Sequence, residues 1–131
     1  MSIEAVVDRF FTAVEAGDTA TLTEIYSPDA GIWHNYDDVT QTREESLRTL
    51  GYLHHVAGPM RYTEVRREVV ADGVVQQHVV VLSGRAEGLR MPAMLRIVVD
   101  GDRVRRIEEY VDPAPLNQRL TQSSAHENRR N

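Results

Sequence analysis

Between Met60 and Val111, valine, isoleucine and leucine crowd into four segments, 60–71, 74–83, 89–99 and 103–111, separated by glycine-containing turns. Segments of this length and composition suit pleated, half-buried strands. Asp72-Gly73 and Asp100-Gly101 are hairpin signals, because both residue types tolerate positive φ, and "SGRAEG" is a longer turn. The pattern predicts four long antiparallel strands in a meander. A sheet of that size has an apolar face that something else must cover.

The cover precedes it in the chain. Ile3, Val6, Val7, Phe10, Phe11 and Val14 recur at helical spacing, which predicts an amphipathic helix with Ser2 as N-cap and Gly17 as its end. Asp18 caps a second, short helix with Leu22 and Ile25 on its apolar side, broken by Ser27-Pro28-Asp29. A short apolar-aromatic strand runs from Ala30 to about Asn35. Thr42 followed by Glu45 is a capping box that opens a third helix, with Leu47, Leu50 and Leu53 or His54 buried and Gly58-Pro59 as the stop. Three helices and a short strand before a meander make an α+β order: one domain over 1–120, followed by a polar, non-periodic tail, 121–131, expected to be disordered. A strongly curved, mostly antiparallel sheet wrapped around the first helix leaves a cone open at one end. Such a cone is a natural small-molecule pocket.

With 131 residues and 41% apolar content, the chain can bury a core without disulfides or a structural metal. The absence of cysteine removes thiolate chemistry and cysteine-ligated metals. Net charge is −5, and Arg66-Arg67 and Arg105-Arg106 are each flanked by glutamates, so no basic stripe for nucleic acid emerges. No apolar run reaches the roughly 18 residues of a membrane span, and the N-terminal pattern is not that of a signal peptide. A cytoplasmic protein is expected, with neither nucleic acid nor membrane as partner. No phosphate loop or zinc motif is present, and no cofactor is expected.

Three stretches, "FFTAVEAGD", "YSPDAGIWHN" and "DGDRVRRIEEYVD", give residues 3–120 a resemblance to the NTF2-like superfamily, most of all to its SnoaL-like branch. The resemblance implies a cone-shaped cavity and a homodimer formed through the outer sheet face. It does not fix an activity. Set against ketosteroid isomerase-like proteins, the chain has Phe10 where the tyrosine should stand, Met94 or Leu95 in place of the aspartic acid, and His34 near the base position. Both oxyanion donors are missing. Set against limonene-epoxide-hydrolase-like proteins, Trp33 replaces a tyrosine, Asn35 keeps the asparagine and Glu109 keeps one carboxylate. His78 and Val80 fall on the arginine and the second carboxylate.

What survives is a reduced set: His78, Glu109 and Asn35. By analogy with SnoaL-like cyclases, a His78 imidazole held by Glu109 would take a proton near neutral pH, and Asn35 would orient a water or a carbonyl. Trp33, Phe10, Met94 and His54 would line the ligand site. Strand alternation forbids Trp33 and His34 from sharing a face, and the expectation here places Trp33 and Asn35 inside. A facial site of His34, His78 and Glu109 can be drawn, but the spacing does not compel it, and no metal is expected. Two readings stand. One is cofactor-independent acid–base chemistry (isomerase, cyclase, dehydratase or hydrolase type) on a small apolar or polycyclic molecule. The alternative is a non-catalytic small-molecule-binding or dimeric assembly module.

Overall fold

The computed structural model describes residues 1–130, with side chains through Gln122. Helices α1 (Ile3–Ala16) and α2 (Thr19–Ile25) lead into strand β1 (Tyr26–His34) and a three-residue strand β2 (Thr40–Thr42). Helix α3 (Arg43–Ala57) precedes the meander β3 (Arg61–Val70), β4 (Gly73–Val81), β5 (Arg90–Asp100) and β6 (Arg103–Val111), and α4 (Ala114–Arg130) closes the chain. The six strands form one sheet in the order β2-β1-β6-β5-β4-β3. Every pairing is antiparallel except β1 with β6, which is parallel.

The predicted caps are in place. Ser2 accepts from the Ala5 N–H, Asp18 from the Thr21 N–H, and Thr42 and Glu45 complete the reciprocal box. Gly17 ends α1 in the left-handed region at φ 66°, and a Cβ there would lie 2.8 Å from the His54 ring. His54 itself places Nε2 3.2 Å from the Glu15 carbonyl, so it ties α3 to the C-terminus of α1. α1 buries Val6, Val7, Phe10, Phe11 and Val14 against the concave side of β3 to β6. Register irregularities in β1/β6 (Tyr26/Gly31), β3/β4 (Thr63/Arg66) and β5/β6 (Val98/Val99) supply local bends that curve the sheet.

Four details differ from the sequence expectations. Ser27-Pro28-Asp29 do not separate helix from strand; they lie inside β1, in the stretch where its register with β6 shifts and a proline costs no ladder bond. β2 was not expected: Thr40–Thr42 gains its ladder only by folding back on Gly31–Trp33. The hairpin turns sit one residue away from the predicted dipeptides, because Val70 pairs with Gly73 and Asp100 with Arg103. Finally, the backbone is helical to Arg130, past Thr121 where disorder is expected, while residue 131 lies outside the described residues. Among the described residues no helix is long and apolar enough to cross a membrane.

Candidate active site

Side-chain alternation along β6 sends Ile107, Glu109 and Val111 to the concave side, as the sequence expectation requires of Glu109. Glu108 faces outward, where it meets Arg96 at 3.6 Å and Arg106 at 3.1 Å. The parallel pairing of β1 with β6 sets His34 opposite Glu109 and Trp33 opposite Glu108. His34 therefore shares the inner face, with Nε2 3.2 Å from Glu109 Oε1.

This reverses the expected register. Trp33 lies on the outer face, its ring edge-on to Tyr110 at 5.3 Å and its indole N–H donating to Asp38 at 2.7 Å. Asn35 does not reach the cavity either. Its N–H donates to the Glu109 carbonyl, and its Oδ1 accepts from the Val111 N–H at 2.9 Å, which extends the strand pairing by one step. Met94 is outward and 41% exposed, one residue out of phase with the cavity-lining Leu95. His54 is committed to the Glu15 carbonyl. Of the expected residues, Phe10 and Glu109 line the cavity.

The cavity is about 200 Å³. Phe10, Phe11, Leu53, Val80, Leu82 and Leu95 make it predominantly apolar, and Pro113, just before α4, and Leu116 in its first turn complete its wall. Glu109 and His34 bring a carboxylate and an imidazole into that apolar surround, and Tyr26, Tyr36 and Tyr62 bring phenols. Burial pushes the Tyr62 hydroxyl well above the ordinary phenol range, and the Glu109 charge adds to the effect. Burial likewise raises Tyr26, against an opposing hydrogen bond from Ser46. Phenols held neutral are hydrogen-bond donors to an oxygen on which negative charge develops. The sequence comparison missed them because it looked for the phenol at Phe10. The available signal was Tyr26, directly after the apolar pair Leu22 and Ile25, and Tyr62 at the start of the meander.

His78 sits behind the cavity wall. It is 3% exposed, edge-on to Tyr62 at 4.8 Å and to Phe11 at 5.9 Å, with Nε2 4.0 Å from Glu109 Oε2. His78 is near Glu109 without bonding to it, and the imidazole that meets both Glu109 and the cavity is that of His34. Among the described residues no group of three His, Asp or Glu side chains is arranged to hold a metal.

Burial holds the His78 imidazole below its ordinary value of 6.5, with the Glu109 charge opposing. Between the lowered folded value and 6.5, the unfolded chain binds a proton that the folded chain refuses. Stability from this group is therefore present above that window and is lost as pH falls through it. Denaturant midpoints should fall from about pH 7 to about pH 5.5, and His78→Gln should show a shallower fall over the same range. Parallel pH profiles for the two proteins would contradict this.

The chain matches the SnoaL-like domain over residues 7–107. No curated protein sequence matches it. Among solved structures it is similar to IdmH of Streptomyces antibioticus, a candidate polyketide cyclase, at 19% identity and TM-score 0.77 over 92% of this chain and 99% of that one. A candidate SnoaL-like polyketide cyclase from Shewanella putrefaciens CN-32 aligns at 15% identity and TM-score 0.78, covering 93% and 88%. A candidate ketosteroid isomerase from Kribbella flavida aligns at 15% identity and TM-score 0.64, covering 84% and 77%. At these identities the likeness is one of fold.

Proposed function

Because the chain belongs to the SnoaL-like family, whose fold houses more than one chemistry, we propose that it is a cofactor-independent acid–base enzyme acting on a compact apolar carbonyl compound, with Glu109 as the proton acceptor. The observation that carries this reading is the pairing of Glu109 with His34 at 3.2 Å inside a predominantly apolar cavity whose other polar lining, the phenols with Gln41, Ser46 and Thr49, is uncharged. Glu109 presents its carboxylate to the cavity, where it can accept a proton. His34 steadies its charge and offers a second proton carrier. A carbonyl placed toward Tyr26 or Tyr62 would find a donor as an α-proton leaves and an enolate forms. Isomerisation and aldol-type ring closure both pass through that intermediate, and the structural neighbours include a candidate polyketide cyclase and a candidate ketosteroid isomerase.

The cavity is small beside typical drug-sized sites, which favours a one- or two-ring substrate in the observed conformation. The outer sheet face, with Met94 and Tyr110 exposed and Trp33 edge-on to Tyr110, supports a homodimer assembled through that face.

The test is α-proton exchange on β-tetralone, an apolar bicyclic ketone, followed in D₂O by proton NMR. Exchange above the buffer rate, abolished when a filling Val80→Phe substitution occupies the cavity, is the expected result. Saturable binding of β-tetralone and related ketones with no exchange above buffer would reject the enzyme in favour of a small-molecule-binding module.

A further inference from the structure

His78 Nε2 is the one buried side-chain nitrogen or oxygen among the described residues that lacks a hydrogen-bond partner. An unpaired buried polar atom is costly, and what surrounds the other side of this ring explains its state. His78 Nδ1 lies 3.0 Å from Gln76 Nε2. An amide can turn either end toward a neighbour, but Gln76 cannot turn. Its Oε1 accepts from Arg67 Nε at 2.8 Å, and a guanidinium can only donate. Arg67 is fixed in turn: Nη1 donates to Asp8 at 2.6 Å, and the guanidinium lies 5.9 Å from the Phe11 ring centroid.

The polarity of this chain is therefore determined from one end to the other. Asp8 accepts, Arg67 donates, Gln76 accepts on oxygen and donates from nitrogen, and His78 Nδ1 must accept. A neutral imidazole that accepts at Nδ1 carries its proton at Nε2. An imidazolium, or the tautomer protonated at Nδ1, would set N–H against N–H.

We infer that the Asp8–Arg67–Gln76 chain locks His78 as a neutral imidazole protonated at Nε2, and that this N–H serves as a positioning donor aimed at Glu109 Oε2. The assignment deepens the proposed chemistry, resting on it only for the role of Glu109. It inverts the role of His78 expected from the sequence: the ring has no lone pair facing Glu109 and is not a base. At 4.0 Å the N–H does not yet bond to Oε2. A small rotation of the Glu109 side chain would bring them into reach. That rotation would hold Oε2 toward the wall and leave Oε1, the oxygen beside His34, as the one that takes the proton. It also leaves His78 unable to ligate a metal through Nε2 without breaking the chain behind it. Arg67 and Gln76 are not among the residues that line the cavity; apart from the Arg67 contact with the Phe11 ring, their polar link to the site runs through His78.

The test reads the ring directly. In the full chain labelled with ¹⁵N-histidine, the His78 signals are assigned by their loss in His78→Gln. Expected near pH 7 are a pyridine-type Nδ1 and a pyrrole-type Nε2. Gln76→Glu presents a carboxylate oxygen to Nδ1 and should move the proton there. Glu109→Ala should shift the His78 Hε2 resonance. A protonated Nδ1 in the wild-type protein would overturn the lock. An Hε2 resonance unchanged by Glu109→Ala would overturn the positioning role. Should Gln76→Glu fail to fold, Arg67→Met frees the amide of Gln76 to turn and is expected to give mixed tautomers; a single unchanged tautomer would again count against the lock. These are spectra of the unliganded protein, so they stand or fall independently of whether β-tetralone is turned over.

Discussion

Glu109→Gln is expected to lower the α-proton exchange rate on β-tetralone by about 10²–10⁴-fold, the range for losing a positioned general base, with little change in ketone binding. The substitution preserves volume and strand position, and the backbone bond from Asn35 N–H to the residue 109 carbonyl is untouched. What it removes is the only carboxylate among the residues lining the cavity. An amide has no useful basicity, so the proton would have to pass to His34 alone. The KM-against-kcat split is the informative reading: loss of a base falls on kcat, whereas collapse of the cavity falls on binding as well. Exchange by Glu109→Gln within a few-fold of wild type would remove Glu109 as the base. A further His34→Gln variant would then show whether the imidazole carries the reaction.

The largest structural effect is expected at Gly73, where β4 begins. Gly73 pairs with Val70 on one side and Val98 on the other, and a Cβ built on it would lie 1.8 Å from the Ile97 carbonyl oxygen. That contact is with backbone, not with a side chain that can turn aside. Gly73→Ala must therefore prise β5 from β4 at the end where Ile97 and Val74, both fully buried, join the core. A loss of about 3 kcal/mol is expected, read as a fall in Tm of roughly 10 °C for a domain of this size. A variant melting within a degree or two of wild type would show that the strands can part there without cost.

Gly73 also illustrates what the sequence makes legible. "DG" at 72–73 marks a hairpin, and a hairpin is there, but not because Gly73 adopts positive φ; its backbone does not. The glycine is needed because a neighbouring strand comes too close, and close approach leaves no mark in a single sequence. The helices α1 and α3 were legible through their caps and apolar periodicity, since both signals are local. α4 was not: from Gln118 onward it is mostly polar, and its tie to the domain includes Arg119 donating to the Glu87 carbonyl, a contact with a distant loop.

The site divides along the same line. Alternation along β6 makes Glu108 and Glu109 mutually exclusive, and the family resemblance selects the right one. In β1, alternation makes Trp33 and His34 mutually exclusive, but the choice depends on how β1 is phased against β6. An indole looks like the natural lining of an apolar cone. Here it finds Tyr110 on the outside instead, and Asp38, at φ 55°, accepts its N–H. His78 could be read as near Glu109, yet not as a donor, because its proton is placed by Gln76, two residues back on the same strand, and by Arg67 on the adjacent one.

The parallel β1–β6 pairing brings together segments from opposite ends of the chain; Asn35 and Val111, which close its last step, are 76 residues apart. The other long strand pairs are hairpins, cheap to nucleate because their loops are short. The half-site on β1 and the half-site on β6 thus meet only at the step with the highest loop-closure cost. A chain still being synthesised holds Trp33, His34 and Asn35 long before their partners exist, and no fragment ending before β6 can contain the carboxylate–imidazole pair. Chemical competence would be acquired late and all at once, as the last strands lock, so its appearance during refolding would mark closure of the sheet and not formation of the hairpins.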